Sequence, residues 1–284
     1  MVTPPRAIRT AQLPSGEDVP VLGQGTWHMA EDARRRKDEI AALRTGLDLG
    51  LTLIDTAEMY ADGEAEMLVG EAIDGRRSRV FLVSKVLPEN ATERGTIAAC
   101  ERSLSRLRTN YLDLYLLHWR GSVPLEATLE AFAVLVAAGK IRHWGVSNFD
   151  IDDMKQLQNV RGGRSVTTNQ VLYNLSRRNA EWKLLPWCRA RGIPITAYSP
   201  IEQGRILRNP ELRRIAKSLD ATPAQVALAW TIRQDGVIAI AKAGTVAHVQ
   251  ENRAAADLQL APYDLAALDR EFPPPTEERL LEML

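Results

Sequence analysis

The chain has 284 residues, of which 45% are hydrophobic, and its 36 basic and 36 acidic side chains cancel to a formal net charge of zero. This length suits one barrel domain of about 250 residues, and we expect residues 1–284 to form a single domain. The balanced charge gives no indication of a nucleic-acid or membrane partner. No stretch approaches the roughly 20 apolar residues that span a bilayer, and the first residues lack the apolar core of a signal peptide.

Cysteine and histidine usage favours a cytoplasmic protein without a metal centre. The two cysteines, Cys100 and Cys188, lie far apart in helical patterns, so no disulfide framework is expected and a reducing compartment is indicated. The four histidines show no paired ligand spacing, which predicts no metal site. Because no exposed apolar stripe stands out, we expect a monomer.

Short apolar runs alternate with helical patterns along the chain, which is typical of parallel βα units. Residues 8–12 and 18–21 flank a turn and predict a hairpin across the bottom of the barrel. The predicted strands are 21–25, 51–54, 80–83, 112–117, 141–146, 167–170, 194–198 and 237–240. The helical patterns between them are 34–49, 64–73, 92–107, 125–138, 151–158, 181–191 and 224–233. Eight such units predict a closed α/β barrel of the (β/α)8 type, also called a TIM barrel.

Two further segments complete this prediction. Residues 200–209 are expected to form a long loop after the seventh strand, and residues 261–284 a helix followed by a tail. The densest basic run, residues 34–37, has the sequence Arg-Arg-Arg-Lys and is flanked by acidic residues on both sides. We therefore interpret it as a solvated helix face.

Polar side chains follow three consecutive predicted strands. Asp55 ends the run 51–54 and is followed on the same loop by Tyr60, whereas Lys85 follows 80–83 and His118 follows 112–117. Each residue alone is more often structural than functional. In a parallel barrel, however, the carboxyl ends of the strands carry the active site. The repeated position therefore favours a site built from these side chains.

Seven segments, in order and over nearly the whole chain, resemble the aldo-keto reductase superfamily. They are 50–60 (GLTLIDTAEMY), 84–85 (SK), 111–119 (YLDLYLLHW), 145–149 (GVSNF), 169–170 (NQ), 198–200 (YSP) and the run from 240 to 252. Within that superfamily, the short loops and the run 53–63 look like the bacterial members that reduce methylglyoxal and similar small carbonyls.

The resemblance implies a catalytic tetrad of Asp55, Tyr60, Lys85 and His118. Tyr60 is the expected proton donor to the carbonyl oxygen, and His118 is expected to hydrogen-bond that oxygen. Asp55 is expected to hold Lys85. A cation about 4 Å away, at an effective dielectric near 20, is worth about 4 kcal/mol, so Lys85 is expected to lower the pKa of the phenol by roughly three units at most.

The resemblance also implies the residues that bind an NADP cofactor and the substrate. The nicotinamide and pyrophosphate contacts are Gly25, Thr26, Asp55, Ser147, Asn148, Gln170, Tyr198, Ser199 and Ile201. The contacts near the adenosine 2′-phosphate and adenine are Lys242, Ala243, Thr245, His248, Glu251 and Asn252. The walls of the substrate pocket are Trp27, Tyr60, His118 and Trp119.

Two departures from the family pattern bear on cofactor choice. His248 stands where an arginine commonly grips the 2′-phosphate, and Ala243 stands at a serine position. Arginine offers phosphate a permanent bidentate fork, whereas an ordinary histidine is mostly neutral at cytoplasmic pH. We therefore expect NADPH to be preferred and NADH to be used at lower efficiency. The preference for NADPH should be smaller than in relatives that keep the arginine.

The sequence thus predicts an oxidoreductase acting on CH-OH groups, which reversibly reduces small aldehydes, ketoaldehydes or ketones to alcohols. A non-catalytic NADP-binding sensor or structural protein on the same barrel is the alternative, because a fold alone does not guarantee activity. A hydrolase with Asp55 and Glu58 as paired carboxylates is a third reading. It is disfavoured because Glu58 is expected to lie in a solvated loop and no second carboxylate ends a strand.

Overall fold

The structure is a computed structural model that describes residues 7–284. A short antiparallel hairpin, β1 (Thr10–Gln12) and β2 (Asp18–Pro20), precedes the main sheet. Its apolar side chains Leu13 and Val19 are buried in the same cluster as Leu53 and Phe81, which begin two barrel strands. The hairpin therefore covers the amino-terminal end of the barrel, and the predicted bottom hairpin is confirmed.

Eight parallel strands form a closed barrel, which confirms the predicted (β/α)8 fold. The strands are β3 (Leu22–Gly25), β4 (Leu53–Asp55), β5 (Phe81–Val86), β6 (Leu112–Leu117), β7 (Ile141–Ser147), β8 (Asn169–Leu172), β9 (Ile195–Tyr198) and β10 (Val237–Lys242). They follow one another around the barrel, and β10 closes it by pairing with β3. One boundary bears on the site: β5 is longer than predicted, so Lys85 lies inside the strand and not just past its end.

Ten α-helices are described in residues 7–284. They are α1 (Arg36–Asp48), α2 (Glu64–Ala72), α3 (Glu93–Leu107), α4 (Leu125–Ala137), α5 (Ile151–Asn159), α6 (Leu184–Arg189), α7 (Pro210–Ser218), α8 (Pro223–Thr231), α9 (Val246–Ala254) and α10 (Pro262–Glu271). None of these helices combines the length and apolar character that crossing a membrane would need. Cys100 on α3 and Cys188 on α6 are buried and unpaired, and burial raises the pKa of each thiol to about 12.

Capping residues explain where two of these helices begin. At α8, the Thr222 hydroxyl accepts a hydrogen bond from the amide of Gln225, and Oε1 of Gln225 accepts one from the amide of Thr222, as the sequence pattern indicates. The helix α7 was not predicted. It begins because Asn209 caps it by accepting from the Leu212 amide, with Pro210 at the first helical position. The preceding segment, predicted as a loop, holds a 3-10 turn at Glu202–Arg208.

A buried carboxylate fixes β5 against two helices. Glu66 on α2 is fully buried and accepts a hydrogen bond of 2.6 Å from Ser84 Oγ. Its other oxygen accepts 2.6 Å from Nε of Arg106 on α3. Because successive residues of a strand point to opposite faces, this outward anchor at Ser84 turns the next residue, Lys85, into the barrel. The ion pair outside the barrel therefore helps to orient the ammonium inside it.

We predict that Arg106→Leu lowers the free energy of unfolding by about 3 kcal/mol, because it leaves the buried carboxylate of Glu66 without its cation. The matched control is Arg76→Leu, which breaks the exposed ion pair of 2.7 Å with Asp48. Exposed pairs contribute about 0–1 kcal/mol, so this control should change little. Urea denaturation followed by circular dichroism measures both values. Equal losses in the two variants would contradict the anchoring role of Glu66.

Candidate active site

A cavity of about 550 Å³ opens at the carboxyl-terminal end of the barrel. Most of the residues predicted to bind cofactor or substrate line it. These are Gly25, Thr26, Trp27, Asp55, Tyr60, His118, Trp119, Ser147, Asn148, Gln170, Tyr198, Ser199, Ile201 and Lys242. Cavities of this size are common for small-molecule sites. Within residues 7–284, no group of three or more His, Cys, Asp or Glu side chains could hold a metal ion.

A buried ammonium group lies behind the cavity wall and joins Asp55 and Tyr60, which both line the cavity. Lys85 is fully buried, and its Nζ donates to Asp55 Oδ1 at 2.6 Å, to the carbonyl oxygen of Thr56 at 2.8 Å and to Tyr60 Oη at 3.1 Å. All three donor positions of the ammonium are therefore satisfied. Burial by itself lowers the pKa of Lys85, but the Asp55 and Tyr60 partners outweigh it and raise that pKa overall, so the lysine stays charged.

The expected lowering of the Tyr60 pKa is wrong for this structure. Burial raises the pKa of the phenol, and Asp55 adds to that effect. Lys85 lowers the pKa as predicted, but its influence is smaller than that of burial. Tyr60 therefore remains protonated at neutral pH. A protonated phenol that points into a cavity can act as a proton donor.

His118 follows β6 and faces Tyr60, with their ring centroids 5.9 Å apart. Burial, and then the nearby charge of Lys85, lower the pKa of the imidazole to about 2. The ring is therefore neutral, with one nitrogen donor and one acceptor. Its Nδ1 is buried and has no hydrogen-bond partner among the described residues. A neutral imidazole beside the phenol can hydrogen-bond a ligand oxygen without adding a positive charge.

The residues predicted to bind a carboxamide line the cavity wall across the barrel from Asp55. They are Ser147, Asn148 and Gln170. Gln170 Nε2 crosses the barrel to donate to Asp55 Oδ2 at 2.8 Å. Asn148 Nδ2 donates to the backbone oxygen of His118 at 3.1 Å, and its Oδ1 accepts 2.9 Å from the hydroxyl of Tyr198. Burial raises the pKa of Tyr198 to about 12. This wall thus combines amide groups with a half-buried aromatic ring.

Five of the predicted adenosine contacts lie away from the cavity wall, around β10 and α9. They are Ala243, Thr245, His248, Glu251 and Asn252. Thr245 caps α9 by accepting from the amide of His248, whose side chain is exposed. Glu251 accepts a hydrogen bond from the Thr222 hydroxyl. Lys242, at the end of β10, belongs to the cavity wall and connects it with this region.

The cavity wall also contains residues that the sequence did not single out. His28 lies on the loop after β3, and Met283 and Leu284 come from the segment after α10. Arg177 holds this segment by an ion pair of 2.6 Å with Glu282. Residues 272–284 carry no periodic pattern or motif, so no sequence signal could have assigned them to the site.

The expectation that Glu58 lies in a solvated loop is wrong. Its side chain is buried and accepts 2.8 Å from the amide of Leu87 and 2.9 Å from Asn90 Nδ2. Arg102 Nη2 lies 3.6 Å from its other oxygen. Glu58 is thus held between loops as a structural anchor, and it does not line the cavity. A mechanism with paired carboxylates at Asp55 and Glu58 finds no support in this arrangement.

The fold and the site together define a barrel enzyme for small molecules, with an ammonium, a carboxylate, a phenol and a neutral imidazole at the carboxyl end of the strands. The chain matches the model of the aldo/keto reductase family over residues 21–271. It is 53% identical over 278 residues to methylglyoxal reductase YeaE of Escherichia coli K12, a match that covers 96% of this chain and 98% of that protein.

Two further comparisons agree. The chain is 33% identical over 260 residues to a glyoxal reductase of Bacillus subtilis, with 92% of this chain and 91% of that protein covered. A crystal structure of an aldo/keto reductase from Klebsiella pneumoniae in complex with NADP and acetate has a TM-score of 0.96 and 50% identity, and covers 98% of this chain and 100% of that one. The chain therefore belongs to the aldo/keto reductase family, and it is an oxidoreductase.

We predict that His118 does not titrate between pH 5 and 8, because its pKa is about 2 and its protonation would place a second cation beside Lys85. The imidazole resonances, followed by NMR on protein with labelled histidine and assigned with a His118→Asn variant, measure this. A titration midpoint of about 6.5, the ordinary histidine value, would contradict it.

Proposed function

We propose that this enzyme reduces small aldehydes, ketoaldehydes and ketones to alcohols, with NADPH as the hydride source and Tyr60 as the proton donor. The observation that carries the proposal is the contact of 3.1 Å between Oη of Tyr60, which lines the cavity, and the fully buried ammonium of Lys85. The names of the relatives, a methylglyoxal reductase and a glyoxal reductase, support small carbonyl substrates. The two unpaired thiols support a cytoplasmic location.

The residues present fit an NADP cofactor. Asn148, Gln170 and Ser147 offer amide and hydroxyl groups for a carboxamide, and the ring of Tyr198 offers a face for a flat heterocycle. Lys242 adds a cation on the same cavity wall. For Lys242, no hydrogen bond or ion pair is found within residues 7–284, so its ammonium is available to a phosphate. The complex of the Klebsiella pneumoniae relative with NADP supports this assignment.

The chemistry follows from where the polar groups lie. When bound, reduced nicotinamide supplies the hydride that reaches the carbonyl carbon of the substrate. Negative charge then builds on the carbonyl oxygen, and Tyr60 donates its phenolic proton to that oxygen. His118, neutral and facing Tyr60, hydrogen-bonds the same oxygen and orients the carbonyl. In the reverse direction, the alcohol would give its hydroxyl proton to the phenolate of Tyr60 and its hydride to bound oxidised nicotinamide, so the same residues would serve both directions.

Lys85 and Asp55 make this proton transfer possible. Lys85 stabilises the phenolate that Tyr60 becomes after it gives up its proton, since opposite charges at this distance attract strongly in a buried site. Asp55 compensates the charge of the buried ammonium. Trp27 and Trp119 border the cavity and exclude water from the reacting groups. The cavity thus favours small carbonyl compounds with limited polar surface.

The alternative of a non-catalytic NADP sensor is less well supported. A sensor needs only the amide wall and the cationic end of the cavity. It does not need a fully buried ammonium in contact with a phenol, because burying a charge carries a large desolvation penalty. The presence of Lys85 and Tyr60 in this contact therefore favours a catalyst.

We predict that Tyr60→Phe lowers kcat for methylglyoxal reduction by at least about 100-fold, since a positioned general acid contributes typically 10²–10⁴-fold. The readout is NADPH oxidation at 340 nm over a panel of aldehydes, ketoaldehydes and ketones. NADPH binding, followed by quenching of tryptophan fluorescence, should stay nearly unchanged.

The matched control for this variant is Tyr263→Phe, which removes a hydroxyl from an exposed tyrosine on α10 and should leave kcat unaltered. Full activity in Tyr60→Phe would overturn the role of the phenol. Wild-type enzyme that oxidises no NADPH with any carbonyl of the panel would favour the sensor alternative.

We predict that the wild-type enzyme has a higher kcat/KM with NADPH than with NADH, and that His248→Arg widens this ratio, because a permanent cation then faces the 2′-phosphate. Gln250→Arg, which adds the same charge at another exposed position of α9, is the control. A wild-type preference for NADH, or an equal effect of the two substitutions, would contradict the prediction.

A further inference from the structure

Two cationic side chains from opposite ends of the chain meet beside Gly244. A Cβ atom built on Gly244 would lie 2.6 Å from Nη2 of Arg35 and 3.3 Å from Nζ of Lys242. Arg35 lies in the short 3-10 turn before α1, and Lys242 ends β10. The absence of a side chain at position 244 therefore leaves a small space that both cations border.

Arg35 differs from the arginines on either side of it. Arg34 is bound to Asp32 at 2.8 Å, and Arg36 is bound to Glu71 at 2.7 Å. Arg35 has only a contact of 3.9 Å with Glu39, and no hydrogen bond of its guanidinium is found in the described part of the chain. The run 34–37 is interpreted as a solvated helix face, and Arg35 is exposed as that interpretation expects. Its Nη2 lies beside Gly244, where Lys242 Nζ also approaches.

The electrostatics of this pair favour an anion. Burial, and then the charge of Arg35, lower the pKa of Lys242, and the carboxylates Glu39 and Glu31 counteract this only in part. Glu39 is itself engaged, since it accepts 2.9 Å from the amide of Ala30. A dianion placed between the two cations would remove their repulsion and satisfy their free donors.

The position of Arg35 and Lys242 indicates which part of the cofactor they would bind. Lys242 lines the same cavity as the catalytic residues, so an anion bound here belongs to a ligand that also reaches them. We propose that Arg35 binds the 2′-phosphate of NADPH jointly with Lys242 and is the arginine that determines cofactor choice in this chain. This assignment rests on the proposed function. It explains how the enzyme keeps an arginine for the phosphate although His248 stands at the usual position.

The test is equilibrium binding of nucleotides to four proteins: wild type, Arg35→Gln, Arg35→Lys and the control Arg34→Gln. Dissociation constants for NADPH, NADH and adenosine 2′,5′-bisphosphate are measured by tryptophan fluorescence and by isothermal titration calorimetry. For Arg35→Gln we expect Kd to rise about 10- to 100-fold for NADPH and the bisphosphate, which is the usual effect of losing a charged hydrogen bond.

The dissociation constants for NADH and for the two other variants show whether the effect is specific to Arg35 and the 2′-phosphate. The Kd for NADH, which lacks the 2′-phosphate, should stay within about twofold in Arg35→Gln, since no phosphate contact is lost. Arg35→Lys should recover part of the NADPH affinity, because lysine keeps the charge but not the bidentate fork. Arg34→Gln should bind all three ligands as the wild type does, because Arg34 is occupied by Asp32. Thermal denaturation verifies that each variant is folded.

Several results would overturn the assignment. These are an unchanged ratio of the NADPH and NADH dissociation constants in Arg35→Gln, an equal loss for both cofactors, or an equal loss in Arg34→Gln. If the wild type binds NADPH and reduces carbonyls while one of these results is obtained, the role of Arg35 fails and the proposed function stands. A wild type that binds neither nucleotide overturns both.

Discussion

The structure depends on keeping one lysine charged inside a barrel. Lys85 is fully buried, and an isolated ammonium there would cost several kcal/mol. Asp55 supplies the compensating charge, and the Thr56 carbonyl and the Tyr60 hydroxyl accept the two remaining hydrogen bonds of the ammonium. Because Gln170 also holds Asp55 from the far side of the barrel, this cluster connects β4, β5 and β8. The same contacts that stabilise the core thus place the phenol for chemistry.

The surroundings of this cluster shift the pKa values of Tyr60 and His118, which both line the cavity, in opposite directions. Burial keeps Tyr60 protonated and His118 neutral, so one can donate a proton while the other hydrogen-bonds without charge. The charge of Lys85 favours the neutral form of His118, whereas it opposes the protonated form of Tyr60. It lowers the pKa of the phenol, but desolvation is the larger effect in the free enzyme. The main effect of the Lys85 charge therefore comes when Tyr60 gives up its proton, because the buried ammonium then stabilises the phenolate.

The barrel, its hairpin and the cluster at the carboxyl ends were predictable, because alternating apolar runs and strand-end polar residues are local signals. The errors arose where distant groups decide the outcome. Glu58 is buried because the amide of Leu87 and the side chain of Asn90 reach it from the next loop. The pKa of Tyr60 depends on how deeply the fold buries it. The helix α7 was missed although its cap at Asn209 is readable, because no element was assigned to residues 210–218.

The sequence by itself determined the family, and it singled out Asp55, Tyr60, Lys85 and His118 because they stand in motifs at the carboxyl ends of three consecutive strands. Only the tertiary structure decided that Arg35 and Lys242 share one space. Closure of the barrel pairs the last strand with the first, so the loops that follow β3 and β10 become neighbours. Residues that meet through this pairing lie too far apart in the chain for any local pattern to connect them.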